Sequence, residues 1–197
     1  MISAALLACA MNVSPVTLEA IVRVESGGNP IALNVNRLAG RQPRASSAAE
    51  AARLAHSYIA QGFSVDLGWM QVNSRNLPRL GLTVEQVLDP CTNIAAGGRI
   101  LTANYADAVR RWGEGQVALQ AALSAYNTGN FSAGHRNGYV AKYYGPSGVP
   151  ALAGGLREAA ASMEASGRRV ALPVPSNPYT ADIAIDFTGG SHVAFVQ

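Results

Sequence analysis

Pro15-Val16-Thr17-Leu18-Glu19-Ala20-Ile21-Val22-Arg23-Val24-Glu25-Ser26-Gly27-Gly28-Asn29-Pro30 is the stretch on which the fold turns. Ser14 suits an N-cap and Pro15 the first helical position, while the Gly27-Gly28 pair stops the helix. Leu18, Ile21, Val22 and Glu25 recur at i, i+3, i+4 and i+7, so the carboxyl shares a face with residues that belong in a core. Glu19 and Arg23 lie on another face, which meets water. Glu25 also occupies the last turn, at the negative end of the helix dipole. Burial and that dipole both disfavour the charged form and raise the proton affinity. A carboxyl still protonated near neutral pH is what a general acid needs. From the helix pattern alone a frayed, solvated end fits as well, and the rest of the chain has to decide.

Working outward, residues 31–36 (Ile-Ala-Leu-Asn-Val-Asn) alternate apolar with mostly polar, as a short strand does. Ser47-Ala48-Ala49-Glu50 reads as a capping box opening a helix to about Gln61. Phe63, Val65, Leu67 and Trp69 alternate again and form a second strand able to pair with the first. Thr83-Val84-Glu85-Gln86 is another capping box, and Asp89-Pro90 opens a long helix with the stripe Ile94, Gly98, Leu101, Tyr105, Ala108 and Trp112. A further helix runs from about Gln116 to Thr128, and an Ala-rich one over 151–164. The expected architecture is α+β, mostly α, with helices around one small antiparallel β-sheet of two or three strands. Residues 1–167 form the domain. From 168 to 197 the Pro-containing stretch Leu172-Pro173-Val174-Pro175-Ser176-Asn177-Pro178 marks a flexible C-terminal tail.

Composition narrows the class. Of 197 residues 49% are hydrophobic and 14% charged, which suits a folded domain rather than a disordered chain. The formal charge of +3 is scattered without a basic run, so nucleic-acid binding is not expected. Mild basicity would suit an anionic polymer. Residues 2–10 are apolar but lack a basic flank and are too short to span a bilayer; they read as a first core helix rather than a signal peptide. His56, His135 and His192 match no zinc spacing, and no metal is expected. Cys9 and Cys91 are the only cysteines; composition leaves two free thiols and one bridge equally open.

Three more motifs accompany Glu25-Ser26-Gly27-Gly28-Asn29-Pro30. In Leu67-Gly68-Trp69-Met70-Gln71-Val72-Asn73, Gly68 permits close approach to the backbone, and Gln71 and Asn73 offer amides to hydroxyl or acetamido groups. Ala122-Leu123-Ser124-Ala125-Tyr126-Asn127-Thr128-Gly129-Asn130 ends a helix with an aromatic and an amide. Asn137-Gly138-Tyr139-Val140-Ala141-Lys142-Tyr143 reads as a short aromatic helix start. In this order the motifs resemble the lytic transglycosylase domain of the soluble-lytic-transglycosylase type, and most of all the VirB1-type enzymes of type IV secretion and conjugation systems. Asp89-Pro90-Cys91-Thr92-Asn93-Ile94 and the segment from Gly134 to Val140 add to the narrower match. The resemblance covers about residues 1–145 and leaves out the tail.

That resemblance implies a lysozyme-like fold acting on peptidoglycan, with Glu25 as the single catalytic acid/base and no cofactor. Expected substrate contacts are Ser26, Gly68, Met70, Gln71, Asn73, Tyr126, Asn127 and Tyr139. It further implies a periplasmic site, which is oxidising, and a first helix packed on the Asp89 helix, hence a Cys9–Cys91 disulfide. Trp69 stands where the family commonly has an aliphatic residue, and either adds a stacking surface or fills space. The expected partners are peptidoglycan glycan strands, and secretion or conjugation components through residues 168–197; a monomer is expected.

The chemistry agrees. Ordinary glycoside hydrolysis uses two carboxylates, whereas here Asp66 and Glu85 read as solvent-facing and Glu50 and Asp89 as helix caps. One carboxyl suffices if the 2-acetamido oxygen of N-acetylmuramic acid stabilises the charge at C1 and the C6 hydroxyl closes the ring, giving a 1,6-anhydro product. A muramidase on the same fold, or a peptidoglycan-binding assembly factor, are the rivals.

Overall fold

The computed structural model describes residues 2–144. The expected 151–164 helix, the boundary at 167 and the 168–197 tail lie outside the described residues. Helices α1 (Ala4–Leu7), α2 (Pro15–Ser26) and α3 (Ala48–Ala60) precede or interleave with the sheet. Then come α4 (Leu77–Leu80), α5 (Val84–Val87), α6 (Pro90–Trp112), α7 (Gln116–Thr128), α8 (Ala133–Arg136) and α9 (Ala141–Tyr144). The sheet is β1 (Leu33–Val35), β2 (Val65–Leu67) and β3 (Val72–Asn73), antiparallel in that order. The mostly-α architecture with one small antiparallel sheet is therefore as expected.

Local chemistry accounts for the elements. In α2, Leu18, Ile21 and Val22 are buried while Glu19 and Arg23 are exposed. Ser14 occupies the N-cap position, but its side chain makes no capping bond. Gly27 ends the helix with φ of 62°, and the N–H groups of Gly27 and Gly28 return to the carbonyls of Arg23 and Val22. The Thr83–Gln86 capping box is complete. Only half of the expected Ser47–Glu50 box forms: Ser47 Oγ accepts from Glu50 N, but the Glu50 carboxylate turns back to Ser46 N and Oγ. Asp89 caps α6 by accepting from Thr92 N at 2.9 Å.

The core lies between the sheet and helices α2, α6 and α7, around Leu18, Ile21, Val65, Leu67, Met70, Ile94 and Leu123. At its centre Asn93 of α6 replaces missing backbone partners of the β2–β3 turn. Its Oδ1 accepts from Met70 N at 2.7 Å, and its Nδ2 donates to Leu67 O at 2.9 Å and Val87 O at 2.7 Å. Gly68 is what lets this amide in: with φ of 74°, a Cβ there would stand 2.8 Å from Asn93 Cγ.

Residues 2–10 differ from expectation. They form α1 and a 3-10 turn, Ala8–Ala10, and only Ala10 is buried. Four residues are too few to offer an apolar stripe, so this is a surface clasp rather than a core helix. It is held by a Cys9–Cys91 disulfide across a sequence separation of 82, and by Asn12 Nδ2 donating to Thr102 Oγ1. Closing so long a loop is worth about 4–5 kcal/mol at most in the chain-entropy model.

Candidate active site

A cleft of about 620 Å³ runs between the end of α2, the sheet, the loop after α3, and the α8–α9 segment. Glu25, one residue from the end of α2, lines it and is half-buried. The buried apolar face of α2 anchors the helix, so the carboxyl is carried by a rigid element. Desolvation pushes the Glu25 pKa from 4.5 up to about 7. A hydrogen bond from the Tyr139 hydroxyl opposes the rise, the Asp66 charge adds to it, and Lys142 opposes it.

Tyr139 is fixed by its surroundings. Asn137 Oδ1 accepts its backbone N–H at 2.9 Å, and Asn137 Nδ2 donates to Asn127 Oδ1 at 3.0 Å, tying the turn to the end of α7. Its hydroxyl donates to Glu25 Oε1 and meets the Tyr143 hydroxyl at 2.7 Å. Burial holds both phenols well above their usual pKa, so they remain neutral donors. Tyr143 therefore donates to Tyr139, and Tyr139 to Glu25, a relay that ends on one carboxylate oxygen.

The opposite wall holds a second carboxyl. Asp66 on β2 is only 7% exposed and lines the same cleft. Cross-strand register sets it opposite Asn34 on one side and Asn73 on the other. Asn34 Nδ2 and Asn36 Nδ2 donate to its Oδ2 at 2.9 and 3.0 Å, and Asn73 Nδ2 donates to Oδ1 at 2.6 Å. Burial raises its proton affinity and the three amides lower it, with burial the stronger. The reading of Asp66 as solvent-facing is thus corrected: the polar face of this strand is the cleft wall, so polarity did not mean exposure.

Of the residues expected to contact substrate, Gln71, Asn127 and Tyr139 line the cleft with Glu25. The others do not, each for a physical reason. Met70 is fully buried, and its carbonyl accepts from the Tyr126 hydroxyl at 2.7 Å. Tyr126 is buried by that same bond, bracing α7 against the β2–β3 turn. Gly68 makes room for Asn93 rather than for a ligand. Asn73 is buried between Asp66 and Arg75 N. Ser26 Oγ donates to Val22 O and accepts from Gly28 N, capping its own helix end. Trp69 borders a separate cavity of about 260 Å³ with Ile2, Val22 and Gly27, which Glu25 does not line.

Gln71 has φ of 48°, a left-handed conformation unfavourable to a side-chain-bearing residue. Two bonds hold it there, from Nε2 to Gly68 O at 2.8 Å and to Ala32 O at 3.3 Å. Arg37, with φ of 64°, lines the same cleft, as do Arg75 and Lys142; all three cations are exposed. Sequence reading missed Asp66, Asn34, Asn36, Arg37 and Arg75. The available signal was Asn34, Asn36 and Asp66 falling on the polar phases of the two segments expected to pair. Among the described residues no three His, Cys, Asp or Glu side chains cluster as metal ligands would.

The family model described as Transglycosylase SLT domain matches residues 4–144. Protein virB1 of Agrobacterium fabrum (strain C58 / ATCC 33970) is 40% identical over 134 residues, covering 68% of this chain and 54% of the relative. Type IV secretion system protein virB1 of Brucella abortus biovar 1 (strain 9-941) is 46% identical over 131 residues, covering 65% and 54%. Protein virB1 of Rhizobium radiobacter is 40% identical over 146 residues, covering 73% and 60%. The chain spans about half the length of the curated relatives it matches. No solved structure matches it.

Proposed function

Because the chain belongs to the transglycosylase SLT domain family, whose fold is lysozyme-like, we propose that it is a peptidoglycan lytic transglycosylase with Glu25 as acid and base. The observation that carries the reading is a carboxyl with a pKa of about 7 at the wall of a polar cleft. Such a group is half protonated at neutral pH and suits both halves of a proton shuttle.

The carboxyl of Glu25 gives its proton to the glycosidic oxygen between N-acetylmuramic acid and N-acetylglucosamine. The C1–O bond breaks, and the 2-acetamido oxygen takes up the positive charge at C1. The Glu25 carboxylate then takes the proton of the C6 hydroxyl, whose oxygen closes on C1 and restores the acetamide. No water is consumed and Glu25 returns to its starting state. Tyr139 steadies the carboxylate between the two transfers by donating to Oε1. The amides of Gln71 and Asn127 and the apolar surface of Phe63 supply the contacts a sugar needs, while Arg37, Arg75 and Lys142 suit a strand bearing peptide carboxylates.

The name of the Brucella relatives supports service to a type IV secretion system. In this reading the protein opens the wall locally from the periplasm for a secretion or conjugation machine, and residues 168–197 are its contact to that machine. Asp66 favours one second reading, a muramidase, since a pair of carboxyls in one cleft is what a hydrolase uses.

The test is muropeptide release from purified sacculi by the wild type and Glu25→Gln, with products resolved by mass. General acid–base catalysis is worth about 10²–10⁴-fold; one residue performing both halves places the expected loss at the upper end or beyond, with sacculus binding retained. Undiminished release of 1,6-anhydro products by the variant would end the assignment. Products carrying an added water would move the protein to the muramidase reading.

A further inference from the structure

The proposed reaction gives Asp66 no task, yet the fold buries it and sets three amides around it, from β1, the residue just after β1, and β3. Two amides bond to its Oδ2 and one to its Oδ1. A carboxylate accepts all three; a carboxylic acid would have to place its own proton among groups already turned to donate. The cradle therefore favours the anion and works against the burial that raises its proton affinity. Holding the strands together does not call for a charge, because backbone ladders already join β1 to β2 and β2 to β3. A buried anion is costly to keep, so its retention calls for another explanation.

The cleft supplies one. Among the described residues that line it, Glu25 and Asp66 are the only acids. Other groups also face Glu25. Tyr139, Tyr143 and Lys142 approach from the α8–α9 side and Tyr126 from α7; Arg37 and Arg75 line the cleft farther along its polar wall. The phenols are neutral, and the cations favour loss of the Glu25 proton. Of these, Asp66 alone brings a negative charge. Nor is it placed as a nucleophile, since both lone pairs of Oδ2 are taken by Asn34 and Asn36 and one of Oδ1 by Asn73.

We propose that Asp66 is a positioning residue: a fixed anion across the cleft that holds the proton on Glu25 until the glycosidic oxygen takes it. The inference rests on the reading of Glu25 as the proton carrier. It assigns the second carboxyl to the transglycosylase rather than to a hydrolase.

The test follows ¹³C-carboxyl signals of Glu25 and Asp66 by NMR titration in the wild type and in Asp66→Asn, with folding checked by circular dichroism. In the wild type, Asp66 should ionise at lower pH than Glu25, and its signal should show a second inflection where Glu25 titrates. In Asp66→Asn the Glu25 midpoint should fall by roughly half a pH unit or more. The alkaline limb of sacculus release should fall with it, a change that loss of a merely structural bond would not cause. Asp66 ionising together with or after Glu25, or an unmoved Glu25 midpoint in the variant, overturns the proposal. Should Asp66→Asn fail to fold, the wild-type order and the second inflection decide alone: both present support it, either absent overturns it. Absence of any product from wild-type sacculi would instead defeat the lytic reading, and the titration would still be read on its own.

Discussion

The two walls of the cleft carry one carboxyl each and hold it in opposite ways. On the helical wall, Glu25 hangs from the last turn of α2 with one hydroxyl donor, Tyr139. On the sheet wall, Asp66 sits mid-strand with three amide donors. Burial raises the proton affinity of both. The difference lies in the number of groups that stabilise the anion. Depth alone does not mark the acid of a site; the count of donors aimed at each carboxyl sets how far its anion is stabilised against burial.

The strongest way to break the comparison is to dismantle the sheet wall from behind. Asn93→Leu keeps approximate volume but strips Met70 N, Leu67 O and Val87 O of their buried partner. At about 1–3 kcal/mol per stranded group, the variant should lose about 3 kcal/mol or more, read from urea unfolding. A loss well under 1 kcal/mol would show that the wall does not depend on this amide.

A smaller effect comes from the helical wall. The Glu25 pKa is raised on folding from 4.5 to about 7, so between those values the folded state binds more protons than the unfolded one. Stability is therefore lost as pH rises through that window. Glu25→Gln escapes the loss and should be more stable than wild type at pH 8, by on the order of 2–3 kcal/mol, with the gap closing near pH 4.5. Thermal unfolding at the two pH values checks this; a gap that does not shrink in acid would contradict the burial account.

The smallest effect sharpens the comparison most. Tyr139→Phe removes the one donor to Glu25, so the Glu25 midpoint should rise, by about one unit or less. Asp66→Asn should lower it. Opposite shifts in the two titrations are required, and shifts of the same sign would mean the walls do not act as described.

Much of this was legible in the chain. Helix α2 could be read because Pro15, the Leu18–Ile21–Val22 face and Gly27 act within a few residues of one another. The two longer strands showed in their alternation. What the alternation could not show was where its polar face points. Asn34 and Asp66 are 32 positions apart and meet only once the register of β1 on β2 is set. Likewise Met70, Asn73 and Tyr126 stood out in the motifs, but their bonds run to Tyr126, Asp66 and Met70 rather than into the cleft. Those motifs mark residues that build the site's walls as well as residues that face it, and side-chain type alone does not tell the two apart.

The most direct test of the central claim, that Glu25 moves a proton from the sugar's own hydroxyl instead of from water, is digestion of sacculi in H₂¹⁸O. Wild-type protein should release muramyl ends lighter by one water and free of ¹⁸O, and Glu25→Gln should release almost none. Reducing ends that carry ¹⁸O would contradict it, showing that water attacks C1 and that the pair of carboxyls works as a hydrolase.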